Sequence, residues 1–323
     1  MKRIAIITSG GDSPGMNAAI RSVVRTAIFH NIECFGFYRG YQGIIENEYK
    51  KLEIRSVSKI LGMGGTLLKS ARSLDFHNAD VREKAFDNLK ALSIDALIVI
   101  GGNGSLTGAS IFSDQFDFPV IGVPASIDND VYGSDNSIGF HTSLDTIIDS
   151  VDKIRDTARS HNRLFFVEVM GRDSGNLALH SSVASGACYV IIPEKDFTIK
   201  GLANRLEEGN KLNKTSSIVI VAEGNKYGPS YKIAEDLSDI YSEYETKVTI
   251  LGHLQRGGSP SCSDRILASK LGKAAIDALL DGEKHKMVGV IKNEIVLSDL
   301  KTVIDNKNGI DESLFYLNEI ISR

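Results

Sequence analysis

The chain has 323 residues, enough for about two domains with a sizeable interior. Its residues are 42% hydrophobic and 24% charged, and 37 basic against 41 acidic side chains leave a formal charge of −4, so composition favours neither nucleic acid nor a membrane surface as a partner. Cys34, Cys188 and Cys262 are far apart and form no CxxC, which argues against a disulfide framework or a zinc site and for a reducing, cytoplasmic setting.

The opening MKRIAIITSGG is too short in apolar residues for a secretory signal and reads as a strand, Arg3 to Thr8. No later stretch reaches the roughly 18 apolar residues that cross a bilayer. Further β-branched runs read as strands, most of them buried: Glu33 to Tyr38, Asp95 to Gly101, Phe118 to Val123, Leu164 to Met170, Cys188 to Ile192, Ser217 to Ala222 and Met287 to Ile291. Between them Ile20, Val23, Val24, Ala27 and Ile28, and later Leu144, Ile147, Ile148, Val151 and Ile154, recur at the spacing of one apolar helix face. Strands alternating with helices imply an α/β fold with mainly parallel sheets. No short repeat or Pro/Ser-rich linker divides the chain, and a domain boundary is placed near Gly139, where a Gly-rich turn meets a long helix.

The first strand ends in Ser9-Gly10-Gly11-Asp12-Ser13-Pro14-Gly15, with Ser13 a good N-cap and Pro14 suited to the first helical position. A second glycine turn, Gly101 to Ser105, again follows a strand and precedes a helix, Leu106 to Phe112. Glycines at a helix start let a phosphate approach unpaired N–H groups and the positive end of the dipole. A lone turn of this kind is as often structural, but two at one carboxyl edge of a parallel sheet mark the place where open α/β sheets bind ligands. Neither turn reads G-x-G-x-x-G, which disfavours a nicotinamide dehydrogenase. A third glycine pair, Gly64-Gly65, is followed by Arg72.

Pro124 to Asp130 ends the next strand with a hydroxyl and two acids that suit a proton acceptor, a metal and a substrate oxygen, although Asp/Asn-rich turns are common for structural reasons. Met170-Gly171-Arg172, Glu223 and Gly252 to Gly258 also follow strands, and the Arg forks with their flanking glycines fit a second phosphate.

Taken in order, GGDSPGMNAAIR, GGTLLKSAR, GGNGS, PASIDND, the Gly139 to Thr142 turn, HNRLFFVEVMGR, VIVAEG and LGHLQRGGSPS resemble the bacterial 6-phosphofructokinase family across nearly the whole chain. The resemblance implies two Rossmann-like domains, each a mainly parallel sheet flanked by helices, with the active site in the cleft between them. The ATP-binding domain is expected at 1–138 plus about 252–305, and the fructose 6-phosphate domain at 139–251 plus a tail of about 306–323. It also implies transfer of the ATP γ-phosphoryl to the 1-hydroxyl of fructose 6-phosphate, with Mg²⁺, in a cytoplasmic homotetramer.

By that resemblance Gly11, Arg72, Ser73, Gly102, Asn103, Gly104 and Ser105 match the ATP site, and Asp128 matches the proton acceptor, with Arg72 and Arg172 as its catalytic partners. Ser126, Ile127, Met170, Gly171, Arg172, Glu223, His253 and Arg256 match the sugar-phosphate site, with Arg163 and Lys247 expected from a neighbouring subunit. Asn103 stands where the family has a metal-associated Asp, leaving Asp130 as the main metal carboxylate; Lys247 replaces an Arg. An effector site for ADP or phosphoenolpyruvate is implied at Arg21, Arg25, Ser58, Arg155 and Lys214. Ile54, Cys188 and Leu212 remove charges from that site, so a weakened effector response is expected.

Pyrophosphate-dependent relatives carry Asp and Lys where this chain has Gly104 and Ala125, so small residues here favour ATP as donor. Two alternatives stay open: a pyrophosphate-dependent enzyme, and a catalytically weak regulatory paralogue, for which Asn103 is the best argument.

Overall fold

Apolar runs become strands here, and their alternation decides which core each residue enters. The computed structural model describes residues 1–161, 163–211 and 217–322. In chain order the strands are β1 (Arg3–Ser9), β2 (Glu33–Phe37), β3 (Tyr49–Leu52), β4 (Ala96–Gly101), β5 (Val120–Pro124), β6 (Arg163–Val169), β7 (Tyr189–Ile191), β8 (Ser217–Ala222), β9 (Glu245–Ile250), β10 (Lys286–Ile291) and β11 (Glu294–Asp299). They form two sheets, ordered β11-β10-β5-β4-β1-β2-β3 and β7-β8-β6-β9. All neighbours are parallel except the pairs β2–β3 and β10–β11 at the ends of the larger sheet. The chain divides into unit 1, Met1–Thr142 with Arg256–Asn308, and unit 2, Ser143–Gln255 with Gly309–Arg323.

In unit 1 Ile4 and Ile6 join a core with Ile20, Val23, Val24, Ala275 and Leu279, from the helices Met16–Phe29 and Cys262–Leu280. Ala5 and Ile7 enter a second core with Leu106, Ala109 and Phe112, from the helix Asn103–Phe116. Odd and even residues of one strand thus serve opposite helix layers, as a strand buried on both faces requires. In unit 2 Leu164, Phe166, Val219 and Val221 share a core with Leu202, Leu206, Ile233 and Leu237. Among the described residues no helix is long and apolar enough to cross a membrane.

The expected start of the first helix needs correction. Ser13-Pro14-Gly15-Met16 closes with Met16 N–H donating to the Ser13 carbonyl (3.3 Å), and Gly15 lies at φ +109°. Pro second and a left-handed Gly third make a type II turn, so Gly15 rather than Ser13 precedes the helix, and among the described residues the buried Ser13 hydroxyl has no hydrogen-bond partner. Turn chemistry here outcompetes a good capping residue. The helix after the second glycine turn starts earlier than expected, at Asn103, with Gly102 as its N-cap.

Asp264 ties these parts of unit 1 together. Fully buried, its carboxylate accepts from Gly139 N–H (2.9 Å), Thr142 N–H (2.7 Å) and the Thr142 hydroxyl (2.5 Å), while its own N–H donates to the Ser261 hydroxyl (3.2 Å) that caps its helix. One side chain therefore satisfies the first amides of the helix Phe140–His161 and anchors the start of Cys262–Leu280. Asp264→Ala, which leaves these buried donors without their acceptor, is expected to cost about 3 kcal/mol or more of unfolding free energy, with Asp264→Asn intermediate. Unchanged urea midpoints in both variants would show that the network carries no stability.

Candidate functional site

Unit 1 gathers its chemistry at one sheet edge because three strands end level. In the parallel ladder Ser9 lies opposite Gly101, and Gly101 opposite Pro124, so the two glycine turns and the Pro124–Asp130 loop leave from adjacent strand ends. A Cβ on Gly101 would stand 2.6 Å from both the Ser9 carbonyl and the Ser105 hydroxyl, so only glycine lets β1, β4 and the following helix converge. That helix directs its first turn at this edge, and the buried Tyr41 hydroxyl donates to the Ser105 carbonyl (2.7 Å) within the turn. Burial pushes the Tyr41 hydroxyl well above the ordinary tyrosine range, so it stays protonated as a donor. Gly104 is exposed, and a Cβ there would meet no atom within 4 Å.

The third glycine segment is pinned to the same strand end. Asn17 donates to the carbonyls of Met63 (3.1 Å) and Gly64 (3.2 Å) and accepts from Leu67 N–H (2.6 Å), while Thr8 donates to the Lys69 carbonyl (2.8 Å). Arg72 beyond it is exposed, and the Ser73 hydroxyl donates to Gln42 (2.9 Å). Arg256, read from sequence as a sugar-phosphate ligand, lies against the first glycine turn: its guanidinium donates to the Asp12 carbonyl (3.0 Å) and stands 2.4 Å from where a Cβ on Gly11 would be.

In the Pro124–Asp130 loop, Asp128 and Ile127 are buried, and Asp128 N–H donates to the Ser126 hydroxyl (3.2 Å). The Asn103 amide donates to the Asp130 carboxylate (2.8 Å), so the two residues expected at a metal do come together. Among the described residues no group of three His, Cys, Asp or Glu side chains could cage a metal. One carboxylate with one amide oxygen is instead a hard, sparse donor set, which suits Mg²⁺ held chiefly by water and phosphate oxygens.

Unit 2 repeats the principle. Val169 at the end of β6 pairs with Ala222 at the end of β8, and Glu168 pairs with Ile250 at the end of β9. Met170 N–H donates to Gln255 (3.1 Å) and Arg172 N–H donates to the Glu223 carboxylate (3.0 Å), which brings Met170, Gly171, Arg172 and Glu223 to one sheet edge. Arg172 is exposed in the left-handed region at φ +51°, and His253 is exposed on the turn after β9. Arg163 and Lys247 are not part of this group. They lie toward the opposite end of β6 and β9, where the Glu245 carboxylate binds Arg163 (2.6 Å) and Lys247 (2.5 Å).

Of the effector residues, Arg25 and Ser58 are exposed and Arg21 half-buried in unit 1, while in unit 2 the Arg155 guanidinium donates to the Ser185 carbonyl. Lys214 and Leu212 lie outside the described residues. Cys188 is buried, and its thiol donates to the Ile218 carbonyl (3.2 Å). The Asp264 network and the Glu245 clamp are two features the motifs above do not include. The S-x-x-D spacing of Ser261 and Asp264 could have revealed the first.

The family model described as Phosphofructokinase matches residues 3–279. The chain is 51% identical over 314 residues to ATP-dependent 6-phosphofructokinase 2 of Bacteroides thetaiotaomicron, covering 97% of this chain and 96% of that protein. It is similar to the solved phosphofructokinase of Saccharomyces cerevisiae at a TM-score of 0.89 and 38% identity, covering 94% of this chain and 45% of the yeast chain. A pyrophosphate-dependent phosphofructokinase from Marinobacter aquaeolei shares the fold at a TM-score of 0.85 and 21% identity, covering 96% of this chain and 86% of that one.

The Glu245 clamp has a defined pH signature. Hydrogen bonds from Lys247 and then Arg163 lower its carboxyl from the usual 4.5 to about 2. A carboxyl lowered on folding contributes its stability above its unfolded pKa and loses it as pH falls through the folded value, so the clamp should persist to about pH 2. A carbon-detected NMR titration of Glu245 checks this; a midpoint at the ordinary carboxylate value would mean that the two cations do not hold it.

Proposed function

We propose, for a chain that belongs to the phosphofructokinase family, that it acts as an ATP-dependent 6-phosphofructokinase, transferring the ATP γ-phosphoryl to the 1-hydroxyl of fructose 6-phosphate. This makes it a glycolytic phosphotransferase. The level strand ends of β1, β4 and β5 carry the proposal, because they set two phosphate-cradling glycine turns beside the loop that holds Asp128.

Each residue then takes a role within its own unit. Unit 1 is the ATP-binding domain, where Gly11, Gly102, Gly104 and Ser105 admit the donor phosphates to backbone N–H groups. Arg72 supplies permanent positive charge toward the transferred group, and Asp128 accepts the acceptor hydroxyl's proton as its oxygen attacks. When bound, Mg²⁺ supplies charge neutralisation on the phosphate oxygens; Asp130 and the Asn103 amide oxygen would hold it. Unit 2 is the fructose 6-phosphate domain, in which Arg172, Glu223 and His253 bind and orient the sugar. Arg163 and Lys247, set apart within the chain, serve a neighbouring copy in a cytoplasmic homotetramer. With charge missing at positions 54 and 188, ADP and phosphoenolpyruvate shift its saturation curve only weakly.

Donor choice follows from size and charge. The open space at Gly104 leaves room beyond two terminal phosphates, and a carboxylate placed there would repel the donor without straining the fold. Gly104→Asp should lower kcat/KM for ATP by at least about tenfold, equivalent to ~1.4 kcal/mol, with an unchanged unfolding midpoint. Equal ATP use in this variant would remove Gly104 from donor selection.

Asp128→Asn should lower kcat by about 100-fold or more while the KM for fructose 6-phosphate stays within about twofold, since the base is lost and the phosphate contacts are kept. Wild-type turnover in that variant would assign the base elsewhere. Asn103→Asp would replace an amide-to-carboxylate hydrogen bond by two facing carboxylates, which repel until a cation intervenes. Tighter Mn²⁺ binding by electron paramagnetic resonance, with a modest gain in turnover, is expected; unchanged metal binding would leave Asp130 and the phosphates as sufficient.

A further inference from the structure

Between the two acids of the Pro124–Asp130 loop stands a residue with no part in the roles above. Asn129 is buried, lies in the left-handed region at φ +52°, and uses both ends of its amide. Its Oδ1 accepts from Ser137 N–H (2.8 Å), and its Nδ2 donates to the Asp135 carbonyl (3.0 Å). The far side of the same loop is closed by the Ser137 hydroxyl donating to the Ser126 carbonyl (2.6 Å) and by backbone pairing of Ile138, whose N–H donates to Pro124 (3.1 Å) and whose carbonyl accepts from Ser126 (3.1 Å). Segments 126–130 and 135–138 are thus knit into one closed loop, with the Asn129 amide spanning its middle.

The flanking geometry explains why this position matters. A left-handed residue breaks the alternation of an extended chain, so its φ angle sets how Asp128 and Asp130 are presented relative to each other. Asp130 is tied onward to Asn103 (2.8 Å) and, through its carbonyl, to Asn308 N–H (3.4 Å), and Asp128 N–H to Ser126 (3.2 Å), so Asn129 fixes the backbone between two anchored acids. Asparagine meets three requirements together: tolerance of the left-handed region, an acceptor for Ser137 N–H and a donor for the Asp135 carbonyl. Aspartate lacks the donor, alanine lacks both groups, and glycine keeps only the backbone angle.

We infer that Asn129 is a positioning residue for phosphoryl transfer, its amide holding the Asp128 carboxylate in register with the reacting hydroxyl through the loop backbone rather than by touching substrate. This rests on Asp128 being the proton acceptor, and the test separates the two claims.

Asn129→Gly, Asn129→Asp and Asp128→Asn are compared in the full-length protein for kcat, KM of both substrates, the pH profile of kcat and the urea midpoint. Asn129→Gly retains the backbone angle but leaves the buried Ser137 N–H without its acceptor, so its urea midpoint should fall while the protein stays folded without denaturant. Because misplacement by about 1 Å can cost about 100-fold, its kcat should fall some 30- to 100-fold with both KM values within about twofold. Its acid limb should persist, since the base is displaced but still present, whereas Asp128→Asn loses that limb. Asn129→Asp, which loses the donor and adds a third carboxylate, should be slower than Asn129→Gly.

Wild-type kcat in Asn129→Gly would overturn the inference, as would a raised KM with kcat unchanged, which would make Asn129 a binding group. A loss of kcat that only follows the fraction unfolded would reduce it to a structural role and also overturn it. Wild-type kcat and an intact acid limb in Asp128→Asn would refute the proton-acceptor assignment itself, whatever the Asn129 variants do.

Discussion

The backbone ladder joining β4 to β1 on one side and β5 on the other is the constraint on which the site in unit 1 depends. Parallel pairing holds Ser9, Gly101 and Pro124 level, and the alternation of Ile4 and Ile6 against Ala5 and Ile7 locks that register. A slip of one residue would exchange the two cores, so the location of the glycine turns is set by packing within the strands. Unit 2 obeys the same rule through Val169, Ala222 and Ile250. Chemistry at strand ends is thereby inherited from hydrophobic burial within the strands.

Around that edge several polar groups are committed to fixing backbone. Asp264 spends its carboxylate on Gly139 and Thr142 at the start of Phe140–His161 while its own N–H is capped by Ser261, and Asn129 spends its amide on closing the Pro124–Asp130 loop. The Asn103 amide donates to the Asp130 carboxylate, where a carboxylate in its place would instead repel it. At the other end of β6 and β9, Glu245 holds Arg163 and Lys247 in a fixed pair through opposite charge. Exposed ion pairs of this kind are worth little to stability, and their value lies in orientation.

The buried strands were legible in the sequence because a doubly covered strand is a near-continuous β-branched run, as in Ala96–Gly101 and Ser217–Ala222. Three strands were not: β3 (YKKL), β9 (ETKVTI) and β11 (EIVLSD) lie at sheet edges, with polar residues where a buried run would be apolar. The glycine turns, Asp128 and Arg172 could be picked out because their residue types are unusual at strand ends. Ser13 misled because its capping preference is local, whereas Pro14 and Gly15 impose a turn whose geometry takes precedence. Long-range partners such as Asp264 with Gly139, 125 residues apart in the chain, leave no periodic trace, and neither does the closeness of Arg256 to Gly11.

These edges are proposed to serve transfer of a phosphoryl group from a nucleoside triphosphate to a sugar phosphate. Phosphorus NMR of the purified chain with fructose 6-phosphate and Mg²⁺, supplied in parallel with ATP or pyrophosphate, tests it most directly. The resonances of fructose 1,6-bisphosphate and ADP should grow together in the ATP sample while the pyrophosphate sample stays unchanged. A bisphosphate signal with pyrophosphate equal to or above that with ATP, or none with either donor, would contradict it.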